Sequence, residues 1–182
     1  MNITELLKAK INDNKYLSYM LRPIQKEILN TKEKVFFSTP QNRRQGKSFA
    51  ILLSVLKHIT EEPDIKEILI FDFYMSCGIF ENNLKHIAED NNIELSIRRF
   101  NSRFLFVNNT RIEFITYSTE IDTCSGKRLD YIYLDNFCYS FYPIEETLLY
   151  NTLVLCLKDN GQIYFINAYE NQNELIQMGL LR

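Results

Sequence analysis

An α/β fold with a mainly parallel central sheet is what this sequence predicts, on three observations. Apolar strand-like runs alternate with helix-like ones along most of the chain. The runs read as strands, among them KVFFST, KEILIFDFY and DYIYL, are nearly continuous apolar stretches, as expected when helices cover both faces of a sheet. No repeat, linker or low-complexity tract interrupts the 182 residues, so one domain spanning 1–182 with a substantial core is expected.

The elements follow in order. Residues 3–20 carry helical periodicity through Ile3, Leu6, Leu7, Ile11, Leu17 and Met20, and Pro23 sits where a second helix tolerates it, in the first turn. Together these make 1–30 an N-terminal helical segment. Residues 34–39 read as a short buried strand, and 48–59 as an apolar helix that ends before Pro63. A second strand is expected over 66–74 and a helix over 80–90. Residues 93–98 alternate, while 103–107 and 111–117 flank Asn108-Asn109-Thr110 as a β-hairpin. A strand over 130–134 runs into Asp135. A helix over 144–157 is closed by Asp159-Asn160-Gly161, before a last strand over 162–166.

Composition removes several function classes. The net charge is −2, so nothing pulls the whole molecule toward nucleic acid or an anionic membrane, and any DNA contact must be local. No apolar run approaches the ~20 residues that span a bilayer. The opening MNITELLKAKINDNK lacks the apolar centre of a signal peptide, which makes a soluble, intracellular protein the expectation. Cys77, Cys124, Cys138 and Cys156 form no CxxC pair, and His58 and His86 are not spaced with them as zinc ligands. Reduced, structural thiols are expected.

Chemistry concentrates in Gly46-Lys47-Ser48, the tail of a phosphate-binding loop. The triplet alone is weak, but here it follows an apolar strand and opens a helix, the order such a loop requires. Amide N–H groups at a helix start face phosphate oxygens, and the helix dipole favours the anion. Lys47 is then placed for the β- and γ-phosphates, and the Ser48 hydroxyl for Mg²⁺. The other reading is a basic helix start on the surface. Asp135, at the carboxyl end of an apolar strand, supplies the acid that such a site uses to hold Mg²⁺.

With these residues in order, the chain resembles the ATPase domain of large terminase subunits, the DNA-packaging motors of tailed phages and related viruses. LRPIQKEIL (21–29) resembles the family's leading motif, whose glutamine, here Gln25, reads the adenine. RRQGKS (43–48) resembles its deviant phosphate loop, which often lacks the first glycine, as Gln41 does here. FLFVNNTRIEFITYS (104–118), CSGKRLDYIYLDN (124–136) and GQIYFINA (161–168) are similar to its hairpin, metal-binding strand and coupling motif. The resemblance implies a P-loop NTPase-like three-layer sandwich that binds ATP and Mg²⁺. It implies a nucleotide set of Gln25, Arg44, Gln45, Gly46, Lys47 and Ser48, with Ser48 and Asp135 on the metal. Arg43 is placed to neutralise charge at the γ-phosphate, with Arg44 in reserve, and Asn167 lies in the coupling segment. Double-stranded DNA, a homo-oligomeric ring and portal or small-terminase-like partners are also implied, at an assembling capsid in the host cytoplasm or nucleus.

The pattern breaks in two places. The family places glutamate after the metal-binding aspartate, whereas Asn136 stands here; an amide orients water but cannot take its proton. Glu145 or Glu146 folding back is one rescue, but acidic residues at a helix start also have the dipole as their reason. Full terminase subunits also carry a nuclease domain with clustered acids, and nothing in this sequence supports nuclease activity; an ATPase-only protein, a fragment and one piece of a split gene stay open, with a separate nuclease domain or chain as one possibility. Arg98, Arg99 and Arg103 around Phe100, with Lys127 and Arg128, suit DNA phosphate and base stacking, or equally a solvated strand edge. Three functions remain: a packaging ATPase, a nucleotide-binding module without turnover, and a helicase-like ATPase.

Overall fold

The computed structural model describes residues 21–38, 46–71, 77–115, 124–135 and 152–166. Helix α1 (Pro23–Asn30) starts with its proline in the first turn, as expected. Strand β1 (Val35–Phe37) precedes helix α2 (Lys47–Glu61), and strand β2 (Glu67–Phe71) precedes helix α3 (Cys77–Asp90). Strands β3 (Ile97–Arg99), β4 (Phe104–Val107) and β5 (Thr110–Ile115) follow, then β6 (Leu129–Asp135) and β7 (Leu157–Ile166).

The strands form one seven-stranded sheet in the order β1-β7-β6-β2-β5-β4-β3. The pairs β1–β7, β7–β6, β6–β2 and β2–β5 are parallel, and the β5–β4 and β4–β3 pairs are antiparallel. The mainly parallel α/β sheet is therefore as the sequence predicts. Two apolar clusters lie on its two faces, and the strands supply them alternately. Ile68 and Ile70 join Ala50, Val55, Leu56, Phe80 and Leu84 beneath α2 and α3. Leu69 and Phe71 join Ile132, Leu134, Ile163 and Phe165 on the opposite face, with Leu153 and Cys156 packed there. Cys77, Cys124 and Cys156 are buried thiols outside any disulfide, and burial pushes the Cys124 thiol up to about 11, well away from a reactive thiolate.

Local departures from the sequence reading have local causes. The 93–98 stretch yields only the short strand β3, because Asn92 takes a left-handed turn (φ 53°) and 93–96 stay irregular before pairing begins. The hairpin forms as expected: Asn108, at φ 53°, closes a turn that sets Val107 against Thr110. Strand β7 begins earlier than the sequence suggests, at Leu157, because Asp159-Asn160-Gly161 forms a bulge within the strand and does not end before it. Leu129 faces Leu157 while Tyr131 already faces Gln162, so the extra residues lie on β7.

Gly161 makes that bulge possible. A Cβ there would stand 2.9 Å from the Asp130 carbonyl oxygen and 3.0 Å from that of Leu129, both backbone atoms with little room to yield. Gly161→Ala is expected to lower stability by about 1–3 kcal/mol, read from the urea midpoint with an unchanged m-value. A midpoint equal to that of the wild type would show that the two strands separate freely there.

Candidate functional site

Parallel strands deliver their carboxyl ends to one edge of the sheet, the edge where α/β folds bind ligands. At this edge β1 ends at Phe37, β6 at Asp135 and β7 at Ile166, with β7 lying between the other two. Helix α2 starts at the same edge. Its N-cap, Gly46, has φ 68°, a left-handed conformation that costs a side chain energy. A Cβ at Gly46 would also lie 2.6 Å from Gln25 Nε2, so a side chain there would have to push the Gln25 amide aside as well as take a strained conformation.

The helix start and the strand end meet directly. The Ser48 hydroxyl donates to Asp135 Oδ2 at 2.5 Å, joining residues 87 positions apart. Asp135 is 2% exposed and Lys47 only 4%, so both charges sit deep in the protein. Burial lowers the Lys47 pKa from its ordinary value, and the neighbouring Asp135 carboxylate partly offsets this. A phosphate at this helix start would favour the charged ammonium further. Ser48 and Asp135 offer one hydroxyl and one carboxylate, the hard oxygen donors that Mg²⁺ takes. Among the described residues no group of three His, Cys, Asp or Glu forms a metal cluster. One hydroxyl and one carboxylate suit an ion that keeps most of its ligands as water.

Gln25 is placed beside the loop, and its environment shows a role that the sequence alone did not reveal. It is 3% exposed; its Oε1 accepts from the Arg22 N–H at 2.7 Å, and its Nε2 donates to the Gly46 carbonyl at 2.9 Å. One amide thus caps α1 and fixes the residue that opens α2. A side-chain amide has two hydrogens and two oxygen lone pairs, so these two bonds use half of its capacity.

The five basic residues considered for DNA do not form one patch. Arg99 Nε lies 3.4 Å from Glu81, and the Arg98 guanidinium sits 5.4 Å from the centre of the Phe106 ring. Arg103 Nη2 and Lys127 Nζ converge on Glu113, at 2.7 and 2.6 Å, and that carboxylate is itself 2% exposed. Arg128 is exposed just before β6, whereas Arg98 and Arg99 lie on β3, four strand spacings away, or roughly 19 Å at ~4.8 Å per strand. Phe100 is 73% exposed. Arg43, Arg44, Gln45, Asn136, Glu145, Glu146 and Asn167 lie outside the described residues.

Comparison with known proteins adds to this geometry. No family model matches the chain, and no curated protein matches it by sequence. Solved structures do match. The large terminase ATPase domain of Thermus phage P74-26 aligns with a TM-score of 0.61 at 15% identity, over 89% of this chain and 72% of that one. The N-terminal domain of the DNA packaging ATPase of bacteriophage phi29 aligns with a TM-score of 0.61 at 14% identity, over 86% and 85%. This chain has the fold of a viral DNA-packaging ATPase domain. A large terminase from a thermophilic bacteriophage, solved in complex with ADP, aligns at 0.56 and 12% identity, over 79% of this chain but 38% of that one. In the packaging-ATPase fold as this sequence builds it, no described helix is long and apolar enough to cross a membrane.

The Gln25 strut can be tested without nucleotide. Gln25→Leu keeps the volume but takes the Gln25 oxygen from the Arg22 N–H and one of two donors from the Gly46 carbonyl, which keeps the Ala50 N–H. A loss of about 1–3 kcal/mol in denaturant unfolding is expected. An unchanged midpoint would mean that water replaces both bonds.

Proposed function

We propose that this chain binds ATP with Mg²⁺ at the α2 start and hydrolyses it to drive DNA into a viral capsid. The observation that carries this reading is the contact of Ser48 with Asp135 beside the buried Lys47, a constellation assembled from distant parts of the chain at the ligand-binding edge. The fold shared with packaging ATPases supports it, as does the ADP found in one of those terminases.

In this reading the amide groups opening α2 hold the phosphates, and Lys47 neutralises charge between the β- and γ-phosphates. Ser48 and Asp135 would hold Mg²⁺, which supplies charge neutralisation across the phosphate oxygens when bound. Arg43, or Arg44, would meet charge developing at the γ-phosphate. Gln25 would keep Gly46 in place while offering its remaining hydrogen-bonding capacity to the base. Asn136 would orient the attacking water. The segment from β7 through Asn167 would pass the change in phosphate state to bound DNA. A ring of subunits on a portal, with double-stranded DNA as the cargo, fits the packaging-motor assembly of phage phi29 that shares this fold.

A second reading rests on one residue. Asn136 cannot accept a proton, and loss of a general base costs about 10²–10⁴ in rate, so the chain would hold nucleotide without useful turnover. Steady-state ATP hydrolysis separates the two. The motor reading expects Lys47→Ala to lower kcat by about 10²–10³ from a measurable wild-type rate. If wild type equals Lys47→Ala while Asn136→Glu gains activity, the chain is a nucleotide-binding module.

A further inference from the structure

Helix α2 and strand β6 run in opposite directions across each other, and buried polar groups meet all along their contact. Tyr131, Tyr133 and Asp135 alternate along β6 and so share the face beneath α2. From the helix, Lys47, Ser54 and His58 stand at i, i+7 and i+11, one stripe on an otherwise apolar face. All six are buried, none more than 6% exposed.

Contacts at three levels join the helix to the strand. At the ligand-binding edge the Ser48 hydroxyl meets Asp135. In the middle, Ser54 Oγ and Tyr133 Oη lie 2.9 Å apart, both residues fully buried. At the far end the Tyr131 hydroxyl donates to Glu62 Oε2 at 2.8 Å, and His58 Nδ1 pairs with Glu62 Oε1 at 2.5 Å. The His58 ring also stacks on Tyr131, with centroids 3.7 Å apart. Tyr133 stacks in turn on Tyr164 of β7, with centroids 4.7 Å apart.

We propose that the Ser54–Tyr133 contact is a register pin, making both residues positioning residues that hold Asp135 within reach of Ser48. Apolar packing alone tolerates small slides and rotations of a helix on a sheet. A shift of one residue moves α2 by ~1.5 Å and turns it by ~100°, which carries Ser54 away from Tyr133 and takes the buried Tyr133 hydroxyl off its partner. The penalty falls on the alternative registers. Replacing both hydroxyls with apolar groups is close to neutral for stability, yet removes the preference for one register. The pin serves the nucleotide site and in that part rests on the proposed ATP–Mg²⁺ reading.

The test uses the full chain carrying Ser54→Ala with Tyr133→Phe, and Tyr133→Phe alone as the variant that keeps every ring atom. Two quantities are read: Mn²⁺ affinity of the ATP complex by electron paramagnetic resonance, and hydrogen exchange of the Ala50 amide without nucleotide. That amide makes the first bond of α2, to Gly46 at 3.0 Å. The double variant is expected to unfold near the wild-type midpoint while exchange at Ala50 quickens and Mn²⁺ affinity falls, each about tenfold, the size of one hydrogen bond. Folded variants with both quantities within about twofold of wild type would overturn the pin, because a bond worth this much cannot then be setting the register. If wild type holds no Mn²⁺–ATP but Ala50 exchange quickens in the variants, the pin stands and the ATP reading falls.

Discussion

The hydrogen bond from the Ser48 hydroxyl to the Asp135 carboxylate links the first turn of a helix to the last residue of a strand two positions away in the sheet. It requires β1, β7 and β6 to run parallel, so that the loop after β1 and the end of β6 open on the same edge. It also requires an apolar framework stiff enough to keep a carboxylate and an ammonium buried side by side. Charges at that depth are costly unless each has an oppositely charged or hydrogen-bonding neighbour. The sheet order supplies that neighbour, and the buried apolar side chains on both faces keep the order fixed.

The same constraint explains the polar groups around the edge. A side chain at Gly46 would be strained by the left-handed conformation and would have to push the Gln25 amide aside. Gln25 in turn ties α1 to the start of α2, which makes α1 part of the site's support. Under α2 the Ser54–Tyr133 contact adds direction to packing that apolar surface alone leaves loosely specified. Stability and site geometry therefore have partly separate sources: the apolar clusters hold the layers together, and the polar contacts choose their alignment.

Much of this was legible in the sequence where the signal is local. The apolar run before Gly46-Lys47-Ser48 and the one before Asp135 announce strands, and the triplet announces a helix start, so the two halves of the site could be read separately. Parallel order brings both to one edge of the sheet. The Ser54–Tyr133 contact was not legible, because a serine inside an apolar helix and a tyrosine inside an apolar strand each look like ordinary core. Only the i, i+7, i+11 spacing of Lys47, Ser54 and His58 hints at a polar stripe. Gly161 misled for a physical reason: Asp-Asn-Gly is strong turn chemistry, and a bulge uses the same residues. Arg103 and Lys127 read as a basic surface because their shared partner, Glu113, reaches them only through strand pairing and chain folding.

The most direct test of the account is a crystal structure of the chain with a non-hydrolysable ATP analogue and Mn²⁺, with the metal located by its anomalous signal. The account predicts one Mn²⁺ peak between Ser48 Oγ and Asp135 Oδ2, with the terminal phosphates against Lys47 and the amides that open α2. Nucleotide bound elsewhere, or bound here with the metal away from Ser48 and Asp135, would contradict it.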